Sequence, residues 1–254
     1  KMDEYRKSLF HTDILAKNFN TYTPKSLRIL HVTNFNERHD GRLFFNTGRR
    51  LNNGFIRLGH SVLEFSDRDI IKHYKNIRDY SGSKTLNQKL INTVYNYKPD
   101  LLIFGHADLI KGNTLSYLKD NYKDLKIAQW FLDPLIKNGP DFEKNKKRIL
   151  DKIQYTDTNF ITTSPDALKF LPNNKLSLFM PNPTDPSFEV LNNYENSNCS
   201  MDVFFALSHG VHRGILKRGK YDERADFVNR LVEMTPNVKF DLYGINNVQP
   251  IWAD

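Results

Sequence analysis

A basic, glycine-containing loop offers the best-defined chemistry in this sequence. It reads HGVHRGILKRGK over residues 209–220 and follows an apolar segment. Glycines let the backbone approach a ligand closely, and the planar guanidinium of Arg213 suits phosphate oxygens. The pattern predicts a diphosphate-binding loop, with a plain solvated basic loop as the alternative. The candidate phosphate-binding residues are Gly210, His212, Arg213, Gly214 and Lys217.

A second group of candidates consists of histidines and carboxylates that directly follow predicted strands. In open α/β sheets ligands bind outside the carboxyl ends of the strands, so these residues stand where a ligand would bind. Each also has a purely structural explanation, as a helix cap or as a turn residue such as Asp133 before Pro134. The group comprises His39, Asp40 and Gly41 after the first strand, His106 and Asp108 after the third, and Asp133 after the fourth.

Two common nucleotide-binding motifs are missing from the sequence. No GxxxxGK[ST] segment is present and no GxGxxG segment follows a strand, so P-loop ATPase and ordinary NAD-binding assignments lose their usual support. The histidines and carboxylates above include no pair at helical i, i+4 spacing. The single cysteine, Cys199, excludes an intrachain disulfide framework and a cysteine-rich zinc site. We therefore expect no metal centre.

The elements that must position these residues alternate between strand and helix. Strands are predicted at 26–33, 61–65, 100–104, 126–131, 159–163 and 176–180, and helices at 41–60, 86–97, 115–121 and 142–153, with a helical turn at 165–171. The first helix rests on an apolar stripe that begins at Leu43, and Gly59 is expected to end it. Apolar strands that alternate with helices indicate a parallel, doubly wound α/β sheet of Rossmann-like type.

A change in composition divides the chain after this series. Residues 181–198 are rich in proline and asparagine, which is typical of a linker. Beyond it, strands at 201–207 and 238–243 flank a helix at 222–234, which is too little to cover both faces of a parallel sheet. We predict an N-terminal helical arm at 1–26, a Rossmann-like domain at 27–185, a linker at 186–200, and the start of a second, truncated Rossmann-like domain at 201–254.

Composition excludes several classes of protein. The 254 residues include 37 Lys and Arg against 29 Asp and Glu, a formal net charge of +8, and 13% of the residues are aromatic. Aromatic content at this level excludes a disordered chain, and no apolar run is long enough to span a membrane. A nucleic-acid partner is not expected, because the positive residues are scattered and KNKKR at 144–148 fits the solvated face of a helix.

Several segments together resemble the GT-B glycosyltransferases, with the CgeB-like and family 1-like branches as the nearest in character. The first strand–helix–strand unit contains a GH-x-V turn at 59–62, and a W-x-x-D-P turn occupies 130–134. The quoted segments are LRILHVTNFN (27–36), GRLFFNTGRRLNNGFIRLGHSVLEFSDRD (41–69), KPDLLIFGHAD (98–108), KIAQWFLDP (126–134), DVFFALSHGVHRG (202–214) and VKFDLYG (238–244).

This resemblance implies a hexosyltransferase that works in a cleft between an acceptor-binding N-terminal domain and a nucleotide-sugar-binding C-terminal domain. Asp40, Asp133 and His106 would be catalytic, with Asp40 or Asp133 as the base, and His39, Gly41 and Asp108 would face the acceptor. The basic loop would bind the diphosphate of a UDP- or GDP-sugar without an obligatory metal or cofactor. One departure is the missing late acidic segment that contacts ribose and sugar in that family.

The implied setting is synthesis of a bacterial cell-surface glycan in the cytoplasm or at the inner face of the membrane. The acceptor would be a glycan, a lipid-linked sugar or a protein. Two other hypotheses stay open: a non-catalytic α/β binding or interaction module whose carboxylates are only caps, and a nucleic-acid binder that uses the net positive charge.

Overall fold

The computed structural model describes residues 26–139, 141–207 and 224–244, and the chain divides into two compact units, Lys1–Phe188 and Glu189–Asp254. The predicted arm over residues 1–25 and the basic loop at 209–220 lie outside the described residues. The predicted domain boundaries stay a prediction.

Six parallel strands form the sheet of the first unit. They are β1 (Arg28–Thr33), β2 (Ser61–Ser66), β3 (Leu101–Gly105), β4 (Lys126–Phe131), β5 (Thr158–Ile161) and β6 (Leu176–Phe179). The helices between them are α1 (Thr47–Arg57), α2 (Asp67–Tyr74), α3 (Ser83–Tyr97), α4 (Gly112–Asn121) and α5 (Phe142–Ile153), with short 3₁₀ helices at Glu37–His39 and Pro165–Ala167. The predicted α/β class with a parallel, doubly wound sheet is confirmed.

The order of the strands creates a crevice at one edge of the sheet. Strands lie in the order β2-β1-β3-β4-β5-β6, so the chain moves outward from β1 to β2 and then crosses back to β3 on the other side of β1. The connections after β1 and β3 therefore leave the sheet in opposite directions. Such a switch point leaves an open crevice outside the carboxyl ends of these two strands.

Both faces of the sheet are buried along the central strands β1, β3 and β4, as their apolar sequences predict, whereas much of β2 and β6 is exposed. Helices α2 to α5 cover one face, where Leu30 and Leu102 of the sheet pack with Leu90 of α3 and Leu115 of α4. Helix α1 covers part of the other face, where Phe55 packs with Ile29, Ile103 and Trp130. Five of the six residues of β1 are buried, because a central parallel strand contacts helices on both sides.

A buried polar chain runs beneath α1. Trp130 Nε1 donates to His31 Nε2 at 3.3 Å, and His31 Nδ1 lies 3.2 Å from Asn52 Oδ1. Asn52 donates onward to Glu64, which also pairs with Arg49. Burial lowers the pKa of His31 to about 4, so the ring is neutral, and these contacts match the tautomer that carries its proton on Nδ1. The chain holds Trp130 in one orientation at the crevice.

Helix α1 begins at Thr47, six residues later than predicted. Asn46 caps the helix, because its side-chain oxygen accepts a hydrogen bond from the backbone of Arg49 at 3.0 Å. Upstream, Asp40 and Gly41 have φ values of 51° and 81°, in the left-handed region that a helix cannot include. Leu43 therefore belongs to a loop rather than to the apolar stripe. The end of the helix is as predicted, with Gly59 at φ 84°.

Helix α2 was not predicted from the sequence. It has only eight residues and follows β2 without a loop, so its periodicity is too short to recognise. It places Asp67 and Arg68 directly after the end of β2. The other predicted strands and helices lie within a few residues of those observed.

The second unit contains one strand–helix–strand motif among its described residues. Strand β7 (Val203–Leu207) pairs in parallel with β8 (Phe240–Gly244), and helix α6 (Arg224–Met234) connects them, with Val228 buried. A 3₁₀ helix at Asn193–Glu195 precedes them. The motif agrees with the strands and helix predicted there.

Asp185 attaches the last segment of the first unit to α1. Its fully buried carboxylate accepts hydrogen bonds from Arg57 at 2.5 Å, from Asn53 at 2.8 Å and from the backbone and hydroxyl of Ser187. Burial by itself would raise the pKa of Asp185, but these donors outweigh it and hold that pKa well below its usual range. The segment around Asp185, which was predicted to end the domain, is therefore an integral part of it.

We expect Asp185→Asn to lower the free energy of unfolding by about 2 kcal/mol, because the new amide turns a donor toward groups that are themselves donors. Urea unfolding at pH 7 measures the change, with the exposed Asp166→Asn as the matched control. Equal stability of the two variants would show that the contacts of Asp185 are dispensable.

Candidate functional site

A cleft of about 270 Å³ occupies the crevice at the carboxyl edge of the sheet. Its walls come from the segments that follow β1, β2, β3 and β4 and from the first turn of α1. Most of the lining residues carry amide, hydroxyl or charged side chains, and Trp130 and Leu132 supply apolar surface. The other lining residues are Thr33, Asn34, Asn36, Asn46, Thr47, Gly48, Asp67, Arg68, Gly105, His106 and Asp133.

His106 and Asp133 form an imidazole–carboxylate pair in this cleft. His106 Nε2 lies 3.4 Å from Asp133 Oδ2, and the imidazole stacks on Phe131 with ring centroids 5.2 Å apart. Burial lowers the pKa of His106, and Arg148 reinforces this effect while Asp133 opposes it. The imidazole is therefore neutral near pH 7 and able to accept a proton.

An unusual backbone turn presents His106 to the cleft. His106 and Ala107 both lie in the left-handed region, with φ values of 57° and 36°, a conformation that is costly for residues with a side chain. Gly105 precedes them because a Cβ atom at that position would come within 2.2 Å of the Trp130 ring. Lys152 supports the turn by donating to the carbonyl oxygen of His106 at 3.4 Å.

Arg148 of α5 links two carboxylates at the edge of the cleft. One nitrogen of its guanidinium lies 3.4 Å from Asp133 Oδ2, and the other lies 3.0 Å from Asp108 Oδ2. The planar fork of arginine suits such a double contact. Arg148 therefore holds the loops after β3 and β4 together through charge. One turn further along α5, burial lowers the pKa of Lys152.

Asp67 is the most unusual carboxyl group of the cleft. Asp67 is only 3% exposed, and its Oδ1 atom has no hydrogen-bond partner among the described residues. Burial raises the pKa of Asp67 to about 6, against a hydrogen bond from the Arg68 backbone and the charge of Arg68, while Asp108 and Asp69 add to the increase. A buried acceptor without a donor costs about 1–3 kcal/mol.

The structure brings together only some of the residues selected from the sequence. His106 and Asp133 line the cleft, and Asp108 joins them through Arg148. Asp40 and Gly41 are exposed and His39 is half-buried, and these three residues are not part of the lining that the described residues form. Gly210, His212, Arg213, Gly214 and Lys217 lie outside the described residues. The roles predicted for all of these residues stay predictions.

Three charged residues of the site were missed by sequence reasoning. Asp67 and Arg68 follow β2, and the rule that ligands bind at strand ends would have selected them had it been applied to that strand. Arg148 was placed on a solvated helix face with its basic neighbours. Its i, i+4 partner Lys152 lies beside the buried Ile149 and Ile153, and this spacing could have indicated a face that points inward.

Among the described residues, no three His, Cys, Asp or Glu side chains are arranged to hold a metal ion. A search of the same residues for membrane-spanning helices found none of sufficient length and apolarity.

No family model and no curated protein sequence matches the chain. Among solved structures, the chain is similar to the crystal structure of the glycosyltransferase SnogD from Streptomyces nogalater, with 13% sequence identity and a TM-score of 0.39. The match covers 72% of this chain and 58% of the SnogD chain. At this identity and TM-score the similarity carries no information about activity.

We expect Asp67→Asn to stabilise the protein at pH 7.5 by about 1–3 kcal/mol. A carboxyl group whose folded pKa lies near 6, above the ordinary value of 3.8, contributes its full stability only below about pH 3.8 and loses it as the pH rises through 6. An amide has no charge to bury, so at pH 4.5 the gain should fall to about one third of its value at pH 7.5. Urea unfolding at the two pH values measures it.

Asp108→Asn provides the contrast, because it removes a partner of Arg148 and should lower stability at pH 7.5. A loss of stability in Asp67→Asn at pH 7.5 would mean that the Asp67 carboxylate is a paired structural group.

Proposed function

We propose that this chain belongs to a glycosyltransferase and that the first unit supplies its acceptor-binding cleft. The proposal is supported chiefly by the neutral imidazole of His106 beside the carboxylate of Asp133, at the switch point of a parallel sheet. This pair is suited to removing a proton from a hydroxyl group. The strand–helix–strand motif of the second unit and the sequence resemblance to GT-B enzymes, including the CgeB-like branch, agree with this assignment.

The first chemical task is activation of the acceptor hydroxyl. When His106 donates its Nε2 hydrogen to Asp133, the lone pair lies on Nδ1, which takes the proton of the acceptor as its oxygen attacks the sugar. Asp133 then stabilises the imidazolium that forms. Arg148 contacts the same carboxylate oxygen of Asp133 and holds it beside the imidazole.

The second task is stabilisation of the leaving diphosphate. We assign this role to the basic loop, in which Arg213, Lys217 and the amides around Gly210, His212 and Gly214 would bind the phosphates of a UDP- or GDP-sugar. No obligatory metal is part of this proposal. The resemblance to GT-B enzymes assigns Asp40, His39 and Gly41 to the acceptor side. These three residues are not part of the cleft lining that the described residues form.

The surface beside the cleft supports a lipid-linked acceptor among the three classes expected. Leu43, Phe44 and Phe45 are exposed, Phe45 to 65%, and they directly precede the cleft-lining Asn46. An apolar surface next to basic residues such as Arg42 favours contact with the headgroup region of an anionic membrane. We therefore propose work in the cytoplasm at the inner face of the membrane, on a cell-surface glycan.

We expect His106→Asn to lower kcat about 100-fold to 10,000-fold in the full-length protein, because general base catalysis contributes that much. Asparagine tolerates the left-handed backbone at this position, so the turn should persist. Turnover is measured as nucleoside diphosphate release from UDP-, GDP- and CMP-sugars, with simple glycosides and lipid-linked sugars as acceptors. In the wild type, kcat/KM should rise with pH through a value below 6.5 and then level off.

The matched controls are His73→Gln, an exposed histidine on α2, and Asp124→Asn, an exposed carboxylate before β4. Both should keep wild-type turnover. Full activity of His106→Asn would contradict the proposed role of the pair. Absence of turnover and of nucleotide binding across the panel would favour a non-catalytic binding module instead.

A further inference from the structure

One residue of the cleft lining carries a buried acceptor atom without a donor among the described residues. Asp67 lines the cleft, and its Oδ1 atom is buried and has no hydrogen-bond partner in that part of the chain. Two other carboxylates of the first unit have donors: the buried Asp185 accepts from Arg57, Asn53 and Ser187, and the partly buried Asp69 accepts from Ser66 and from the backbone of Glu37. The free acceptor at Asp67 is therefore a local exception.

The charges around Asp67 indicate what kind of ligand could donate a hydrogen bond to it. Within and around the cleft, the carboxylates of Asp67, Asp108 and Asp133 are offset by Arg68, Arg148 and Lys152. The site as a whole is close to electrically neutral, so it neither attracts an ammonium group strongly nor suits a multiply charged anion.

The uncharged part of the lining is rich in groups that both donate and accept hydrogen bonds. Thr33 and Thr47 supply hydroxyls, and Asn34, Asn36 and Asn46 supply amides. Groups of this kind are complementary to a ligand with several hydroxyls, each of which can donate and accept in turn.

We propose that Asp67 is a ligand-binding residue of the cleft, whose free Oδ1 accepts a hydrogen bond from a hydroxyl group of a neutral, polyhydroxylated ligand. This inference rests on the proposed function, in which that ligand is the acceptor sugar. Asp67 binds a hydroxyl that does not react, and His106 takes the proton of the hydroxyl that does. The carboxyl thus contributes to affinity and to the choice of acceptor.

Titration of the buried Asp67 carboxyl also makes binding depend on pH. The charged groups near it are Arg68 and Asp69 on its own helix, Asp108 and His106 from the loop after β3, and Lys152 from α5. A ligand hydroxyl binds the ionised carboxylate more tightly than the protonated acid, because a charged acceptor makes the stronger hydrogen bond. Affinity should therefore fall as the pH drops below about 6.

The test measures binding apart from turnover. Methyl glycosides of glucose, galactose and N-acetylglucosamine are titrated into the full-length protein at pH 7.5 and pH 5, with saturation-transfer NMR as the readout. We expect at least one glycoside to bind the wild type, to bind Asp67→Asn about tenfold to 100-fold more weakly at pH 7.5, and to lose affinity for the wild type at pH 5. The affinity of Asp67→Asn should not change with pH.

Two further variants distinguish the effect of Asp67 on binding from the effects of other titratable residues. Asp124→Asn should bind like the wild type at both pH values. His106→Asn should keep the loss of affinity below pH 6, since that loss originates at Asp67. With an active donor and acceptor pair, Asp67→Asn should raise KM for the acceptor and change kcat only a few-fold.

Several results would overturn the inference. They are absence of glycoside binding to the wild type, tighter binding of glucosamine than of the neutral glycosides, equal affinity of Asp67→Asn, or a large fall in kcat at unchanged KM, which would make Asp67 the base. Sugar transfer with unchanged acceptor KM in Asp67→Asn would refute this inference alone. Glycoside binding that depends on Asp67 in a protein without transferase activity would refute only the proposed function.

Discussion

The parallel direction of the six strands is the constraint on which the rest of this protein depends. Because all strands of the first unit run the same way, their carboxyl ends all lie at one edge of the sheet. Polar and charged residues that cannot enter the covered faces collect there. The change of direction between β1 and β3 then opens a crevice at that edge, and the residues after four strands line it.

Side-chain contacts beneath and beside this edge of the sheet hold its residues in place, and part of the arrangement is energetically unfavourable. The polar chain from Trp130 through His31 and Asn52 orients the floor of the cleft, while Arg148 ties the loops after β3 and β4 together. The same region holds His106 in a left-handed conformation and buries Asp67, whose Oδ1 has no donor among the described residues. Such unfavourable features persist where a site uses them.

The cleft contains two titratable groups, His106 and Asp67, to which we assign different roles. Burial lowers the pKa of the His106 imidazole and raises the pKa of the Asp67 carboxyl, so one physical cause keeps the first able to accept a proton and makes the second avid for a hydrogen-bond donor. Both effects require the low exposure that the convergence of loops provides. The exposed Asp40, which the resemblance to GT-B enzymes offered as a base alongside Asp133, lacks that environment.

The sequence alone determined the class of the fold, the positions of nearly all strands and the selection of His106, Asp108 and Asp133, because apolar periodicity and the strand-end rule are local signals. It did not determine where α1 begins, which the Asn46 cap and the left-handed Asp40 and Gly41 decide. Only the tertiary structure brought Asp67 into the cleft and Arg148 to its edge. Arg148 contacts Asp108 across 40 positions of the chain, and Asp67 owes its raised pKa to burial, with Asp108 adding to it. A local pattern carries no record of such distant contacts.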